Sequence, residues 1–101
     1  MNDLDAILDL EQGESTPLQE AQALQRLLNS GLVWRLQGSH GRAAMAALES
    51  GRNMLGKVST SDGWGNRVPS RFEVQCGTKG SSTLVADEMG DEWLAALESV
   101  E

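Results

Sequence analysis

The chain has a single cysteine, Cys76, no tyrosine, one phenylalanine, two prolines and one histidine in 101 residues. One thiol excludes an internal disulfide and gives no paired metal-ligand spacing, which fits a reducing compartment. One imidazole leaves any serine or cysteine nucleophile only His40 as its base, and no local motif sets a nucleophile beside it. No apolar run approaches the ~20 residues of a bilayer-spanning helix. The opening MNDLDAILDLEQ is acidic, the reverse of a secretion signal. These absences predict a cytoplasmic, non-enzymatic chain without membrane contact. No cofactor or metal is expected, because the scattered carboxylates lack calcium-loop spacing.

Positive charge is missing from both ends. The first 25 and last 22 residues hold no Lys or Arg, and all eight bases lie between Arg26 and Lys79. Each terminal block carries −6, the middle carries +5, and the net charge is −7. An acidic balance argues against indiscriminate adhesion to nucleic acid, which depends on counterion release by a basic surface. It leaves room for a local basic patch.

At 101 residues, with 11 glycines and 40% apolar content, the chain fits one domain near the lower size at which a core is self-sufficient. Leu4, Ile7, Leu8 and Leu10 stand near helical spacing, closed by Gly13. Ser15-Thr16-Pro17-Leu18-Gln19 then sets an N-cap, a proline at the first helical position and the glutamine of a capping box. Leu18, Ala21, Leu24, Leu27 and Leu28 form one stripe of the helix that follows, with Gly31 as its left-handed stop. Residues 31–38, GLVWRLQG, read as a short helix or turn. An alanine-rich helix from Ala43 to Leu48 ends at Gly51.

Between Arg52 and Gly80, glycines and the Ser61-Asp62-Gly63 and Gly65-Asn66 signals break up short β-prone pieces. Phe72, Val74 and Cys76 alternate with Glu73 and Gln75, predicting a half-buried strand that pairs with the region of Val58, with Cys76 in the core. Pro69 confines that strand to an edge or to the residues after it. Ser81, Ser82 or Thr83 caps a last helix carrying Leu84, Val85, Met89, Trp93, Leu94, Leu97 and Val100. The expected fold is mainly α, a small α+β domain of three to four short helices. A helical part spans residues 1–51, a β-hairpin or irregular glycine-rich insertion spans 52–80, and a C-terminal helix spans 81–101.

Asp87, Glu88, Asp91 and Glu92 are at i, i+4 spacing and would share one helix face, as a solvated acidic surface rather than a cation site. Residues 77–82, GTKGSS, place Lys79 near a helix start but lack the order of a phosphate loop, so a cap-and-turn role is expected. Trp34 and Trp93 read as core aromatics. Trp64, between two glycines in a polar turn, reads equally as an exposed contact residue. Tryptophan and arginine together are enriched where proteins meet, and also stack on bases. The candidate interaction residues are therefore Trp34, Arg35, Gln37, His40, Arg42, Trp64, Arg67 and Arg71.

The stretch from Leu27 to Ala44, followed by Leu48-Glu49-Ser50-Gly51, resembles a segment of short tailed-bacteriophage proteins of unknown function. There a helix leads into G-L-x-W-x-L-Q-G, then an aromatic-G-R and an alanine-rich helix ending in glycine. Trp34, Leu36, Gln37, Gly38, Gly41 and Arg42 match, while His40 replaces the aromatic, usually tyrosine. The likeness covers roughly residues 5–51 and carries no activity with it. It implies a phage-encoded accessory protein of the bacterial cytoplasm. Together with the absent catalytic groups and the acidic arms, it leads to the expectation of an interaction module acting on a host or phage protein, including as an anti-defence inhibitor by binding or by acidic nucleic-acid mimicry. A homo-oligomer is compatible with this. The alternatives are a small nucleic-acid-binding regulator, in which the helices around residues 31–38 form a helix-turn-helix-like unit, and a minor virion component.

Overall fold

The computed structural model describes residues 16–36 and 38–101, so the helix expected at residues 4–10 and the candidate Gln37 lie outside them. Four α-helices and one short hairpin make up the described part, mainly α with a small β element.

Helix α1, Pro17–Ser30, begins at the expected capping box. Thr16 Oγ1 accepts from Gln19 N at 3.1 Å, and Gln19 Oε1 accepts from Thr16 N at 3.0 Å. Gly31, at φ +80°, ends it and turns the chain into a one-turn 3₁₀ helix, Leu32–Arg35. A side chain on Gly31 would meet more than the backbone cost of that φ. Its Cβ would lie 2.7 Å from the Thr60 Cβ, so glycine lets the hairpin close on the end of α1. Helix α2, Gly38–Ser50, follows.

Beyond α2, residues 53–56 run extended against α1. Gly56 approaches so closely that an added Cβ would be 3.0 Å from the Asn29 Cα and the Leu28 carbonyl oxygen. Strands β1, Thr60–Ser61, and β2, Arg67–Val68, pair antiparallel with Thr60 opposite Val68. Helices α3, Ser82–Met89, and α4, Asp91–Glu98, close the chain. Ser81 caps α3 as expected, its Oγ accepting from Leu84 N at 3.2 Å.

Two sequence expectations are overturned. Residues 72–76 form no strand. Phe72 is 74% exposed and Cys76 is exposed, because Ser70 to Glu73 and Gln75 to Thr78 close successive turns. Of the alternating trio, Val74 alone packs on the core, and the real hairpin lies earlier, ending where Pro69 cannot donate to a ladder. The C-terminal helix is also two helices. Gly90 adopts φ +91° and ψ 167°, a conformation open only to glycine, and breaks the axis between Met89 and Asp91.

Helix α1 is the centre of the molecule. Its Ala23, Leu24, Leu27 and Leu28 pack with Val33, Ala44, Ala47, Leu48 and Leu55, and Trp34 covers that cluster. On its other side Ala21 joins Met54, Val85 and Leu97, with Trp93 alongside. Trp93 donates its indole N–H to the Arg52 carbonyl at 2.9 Å. Both tryptophans thus serve packing, as the sequence implied.

Between the two clusters runs a buried polar seam. The Gln25 amide brackets Met54, donating to its carbonyl at 2.9 Å and accepting from its N–H at 3.1 Å. It pairs the extended segment as a neighbouring strand would. Gln22 and Asn29, on the same stripe of α1, donate to the carbonyls of Ala96 and Val100, and Arg26 donates to that of Glu101. These bonds tie the last turn of α4 and the residues after it to α1.

Candidate functional site

The hairpin tip is built by Asp62. Its carboxylate accepts from the backbone N–H groups of Trp64 and Asn66, both at 2.9 Å, and from the Asn66 side-chain amide at 3.2 Å. Asp62 N–H donates to the Asn66 carbonyl at 3.0 Å, and Gly65 N–H to the Asp62 carbonyl at 3.2 Å. The Asn66 N–H is the main cause that holds the Asp62 carboxyl below its ordinary range, and the Trp64 N–H adds to it. A short polar side chain at the first turn position commonly forms this self-bonded loop. Here it fixes the backbone on both sides of Trp64, whose side chain is 90% exposed.

Beneath the tip opens an apolar groove of about 300 Å³. Leu48 and Leu55 are its most buried lining, with Trp34 and Met45 on the helical side and Val68, Pro69 and Val74 on the hairpin side. The polar groups lining it are Asp62, Arg67 and Lys79. The Asp62 carboxylate is held by the N–H groups of the turn and keeps its negative charge. Arg67 is ion-paired with Glu73, whose other oxygen accepts from Ser70 N–H at 2.7 Å. That backbone bond first, and the Arg67 guanidinium second, lower the Glu73 carboxyl to about 2.

The candidate residues thus fall into separate places. Trp34 and Arg67 line the groove, while Trp64 stands on the hairpin tip outside that lining. Arg35 is exposed next to them and donates to Ser61 Oγ at 3.0 Å. Arg42 is exposed and His40 half-buried, both on α2.

Arg71 differs from the expected surface role: it is buried, 6% exposed, with Nε donating to the Leu55 carbonyl at 2.8 Å and Nη2 to Asn29 Oδ1 at 3.1 Å. Burial lowers its pKa and the carboxylate of Glu98 opposes that shift. The acidic quartet is exposed but does not share one helix face, since the Gly90 break separates Asp87 and Glu88 on α3 from Asp91 and Glu92 on α4. Sequence reasoning passed over Met45, Val68 and Val74 as contact residues. Met45 offered a signal, as a large apolar group on an alanine-rich helix whose own stripe did not require it.

Among the described residues, no three His, Cys, Asp or Glu side chains are grouped to hold a metal ion, and no helix is long and apolar enough to cross a membrane. No curated protein and no solved structure matches the chain. A family model does match, over residues 1–65, a stretch that takes in α1, the 3₁₀ turn, α2, β1 and the hairpin tip as far as Gly65. With well over half of its length inside that model, the chain belongs to the family described as a domain of unknown function, DUF7417.

Proposed function

We propose that this protein is a non-enzymatic protein-interaction module that binds its partner through Trp64 and the groove beneath it. The observation that carries this reading is the 90% exposure of an indole on a turn already locked by Asp62. Burying an aromatic of this size at an interface is strongly favourable, and a preordered loop loses little entropy on binding. Tryptophan is enriched among hot-spot residues for the same reasons. Met45 and Phe72 add further exposed apolar surface.

The resemblance to tailed-phage proteins supports the finer reading of an accessory factor acting on a host or phage protein in the bacterial cytoplasm. Inhibition of a defence protein by acidic mimicry belongs to that reading, with Asp87, Glu88, Asp91 and Glu92 as the exposed charges. Nucleic-acid binding is the weaker alternative. Two bases of the middle block are occupied, Arg67 by Glu73 and Arg71 by the interior.

The test is capture from bacterial lysate with the full chain and its Trp64→Ala variant, read by mass spectrometry. A dominant protein retained by the parent and reduced at least ~10-fold by the variant, the size of a hot-spot loss, supports the reading. Identical retention by both chains removes Trp64 from it, and a low-salt gel shift of duplex DNA would favour the alternative.

A further inference from the structure

Helix α2 borders a second groove on its other side. Around the helix, Ala43, Ala46 and Ala47 lie opposite Met45 and Leu48, and they face Ala21 and Leu24 of α1 across a space of about 550 Å³. Ala21, Leu24 and Ala47 are buried, while Ala43 and Ala46 are exposed. Three polar residues complete the lining. Ser50 donates its hydroxyl to the Ala47 carbonyl at 3.2 Å, and Glu20 and Arg52 carry opposite charges, so the groove has no net charge. Its occupant is set by apolar shape, and the small alanines leave room between the helices for bulky aliphatic side chains.

The chain itself carries a segment of that shape. Residues 1–15 lead into α1 at Thr16, one turn before Glu20 and Ala21. Within them Leu4, Ile7 and Leu8 have the i, i+3, i+4 spacing of one helix face, with Asp5 and Asp9 turned away from it. A helix over residues 4–10 would be roughly 10 Å long, as is the stretch of α2 from Ala43 to Ser50. Residues 11–15 span up to roughly 17 Å and contain Gly13, enough for the chain to reverse onto the groove. The matched family domain begins at residue 1 and takes in the whole lining, from Glu20 to Arg52, so segment and groove belong to the same domain. A short tether also holds the segment at an effective concentration on the order of millimolar, ahead of any free competitor.

We propose that the groove between α1 and α2 is the seat of the chain's own N-terminal segment, with residues 4–10 helical and Leu4, Ile7 and Leu8 set against Leu24, Ala43 and Ala46. Covering the exposed alanines supplies the affinity. The contact also makes the segment helical, since two turns of helix are not stable alone in water. Once seated, the segment carries Asp5 and Asp9 outward, and the N-terminal acids become a surface on the side of α2 away from Met45.

The test is hydrogen exchange of the full chain, read by mass spectrometry. The amides of residues 4–10 should exchange at least ~10-fold more slowly than in a free peptide of residues 1–15. Ala46→Glu, at an exposed position and with a good helix former, should return them to the peptide rate while the amides of Leu27 and Leu28 stay protected.

Disulfide trapping gives the second readout, in a Cys76→Ser background that removes the exposed native thiol. With Ala46→Cys, Ile7→Cys should close an intramolecular disulfide under oxidised glutathione at least ~10-fold faster than Asp9→Cys, which lies on the far side of the helix. Peptide-rate exchange of residues 4–10 in the parent chain, or protection that survives Ala46→Glu, overturns the proposal. So do equal trapping rates at positions 7 and 9, which mark an undocked tether, and a disulfide between two copies, which assigns the groove to a neighbouring chain.

Discussion

Arg67 and Arg71 are four positions apart in one basic block, yet one is at the rim of a groove and the other inside the molecule. Arg71 is there because the chain brings two acceptors to it, the Leu55 carbonyl and Asn29 Oδ1, which a planar guanidinium reaches together. Arg71→Lys keeps the charge but cannot span both. It should cost ~1–3 kcal/mol by urea denaturation, since a buried acceptor is left unsatisfied. Glu73, together with Asp62, carries the pH dependence of this region. The folded pKa of Glu73, about 2, lies below the ordinary 4.5. The stabilisation it contributes is complete above pH 4.5 and is lost as pH falls towards 2, because the unfolded chain takes the proton first. The Glu73 carboxyl should titrate near 2 by NMR, and Glu73→Gln should flatten the stability profile in that window.

At the scale of elements, Gly90 decides the C-terminal third. The apolar spacing from Leu84 to Val100 is helical throughout, and a glycine inside a helix is tolerated at about 1 kcal/mol, so spacing alone does not reveal the break. The break forms because it lets Val85 and Leu97 both enter the cluster beside Ala21 and Met54. Gly90→Ala should therefore destabilise by ~1–3 kcal/mol in thermal melts, although no atom stands within 4 Å of the added methyl. The cost is conformational. The misplaced strand has a different lesson. Alternation at residues 72–76 was real, but Glu73 reaches back to the Ser70 N–H, so the segment turns before it can pair. The capping box of α1 and the stop at Gly31 were legible because each is a local contact within a few residues. The hairpin tip was legible in the same way, since Asp62 and Asn66 bond within their own turn.

Across the whole molecule, α1 is covered on opposite sides by elements far apart in sequence. Leu97, fully buried, carries the C-terminal side. Leu97→Ala should cost ~2–5 kcal/mol in chemical denaturation. Trp64, at the opposite extreme of exposure, should be replaceable by Ala within ~0.5 kcal/mol, which separates its binding role from stability. Charge is arranged on the same scale. Arg26 holds the Glu101 carbonyl and Asn29 that of Val100, so the end of the acidic block lies against α1. Asp87, Glu88, Asp91 and Glu92 stay at the surface.

What the sequence determined by itself was set by neighbours along the chain: caps, stops, helix stripes, the turn around Trp64 and the separation of acids from bases. These need only contacts within about a turn, and the residue types announce them. The tertiary structure alone decided the groove, the polar seam and the fate of Arg71. Met45, Leu55, Val68 and Val74 come from four separate segments, and no pattern in any one of them shows that they meet. Gln25 and Asn29 likewise look like solvated helix positions until residues 53–56 and Arg71 arrive against them. A buried polar group is stable only with its partner present, so its place is fixed when distant segments pack, and not before.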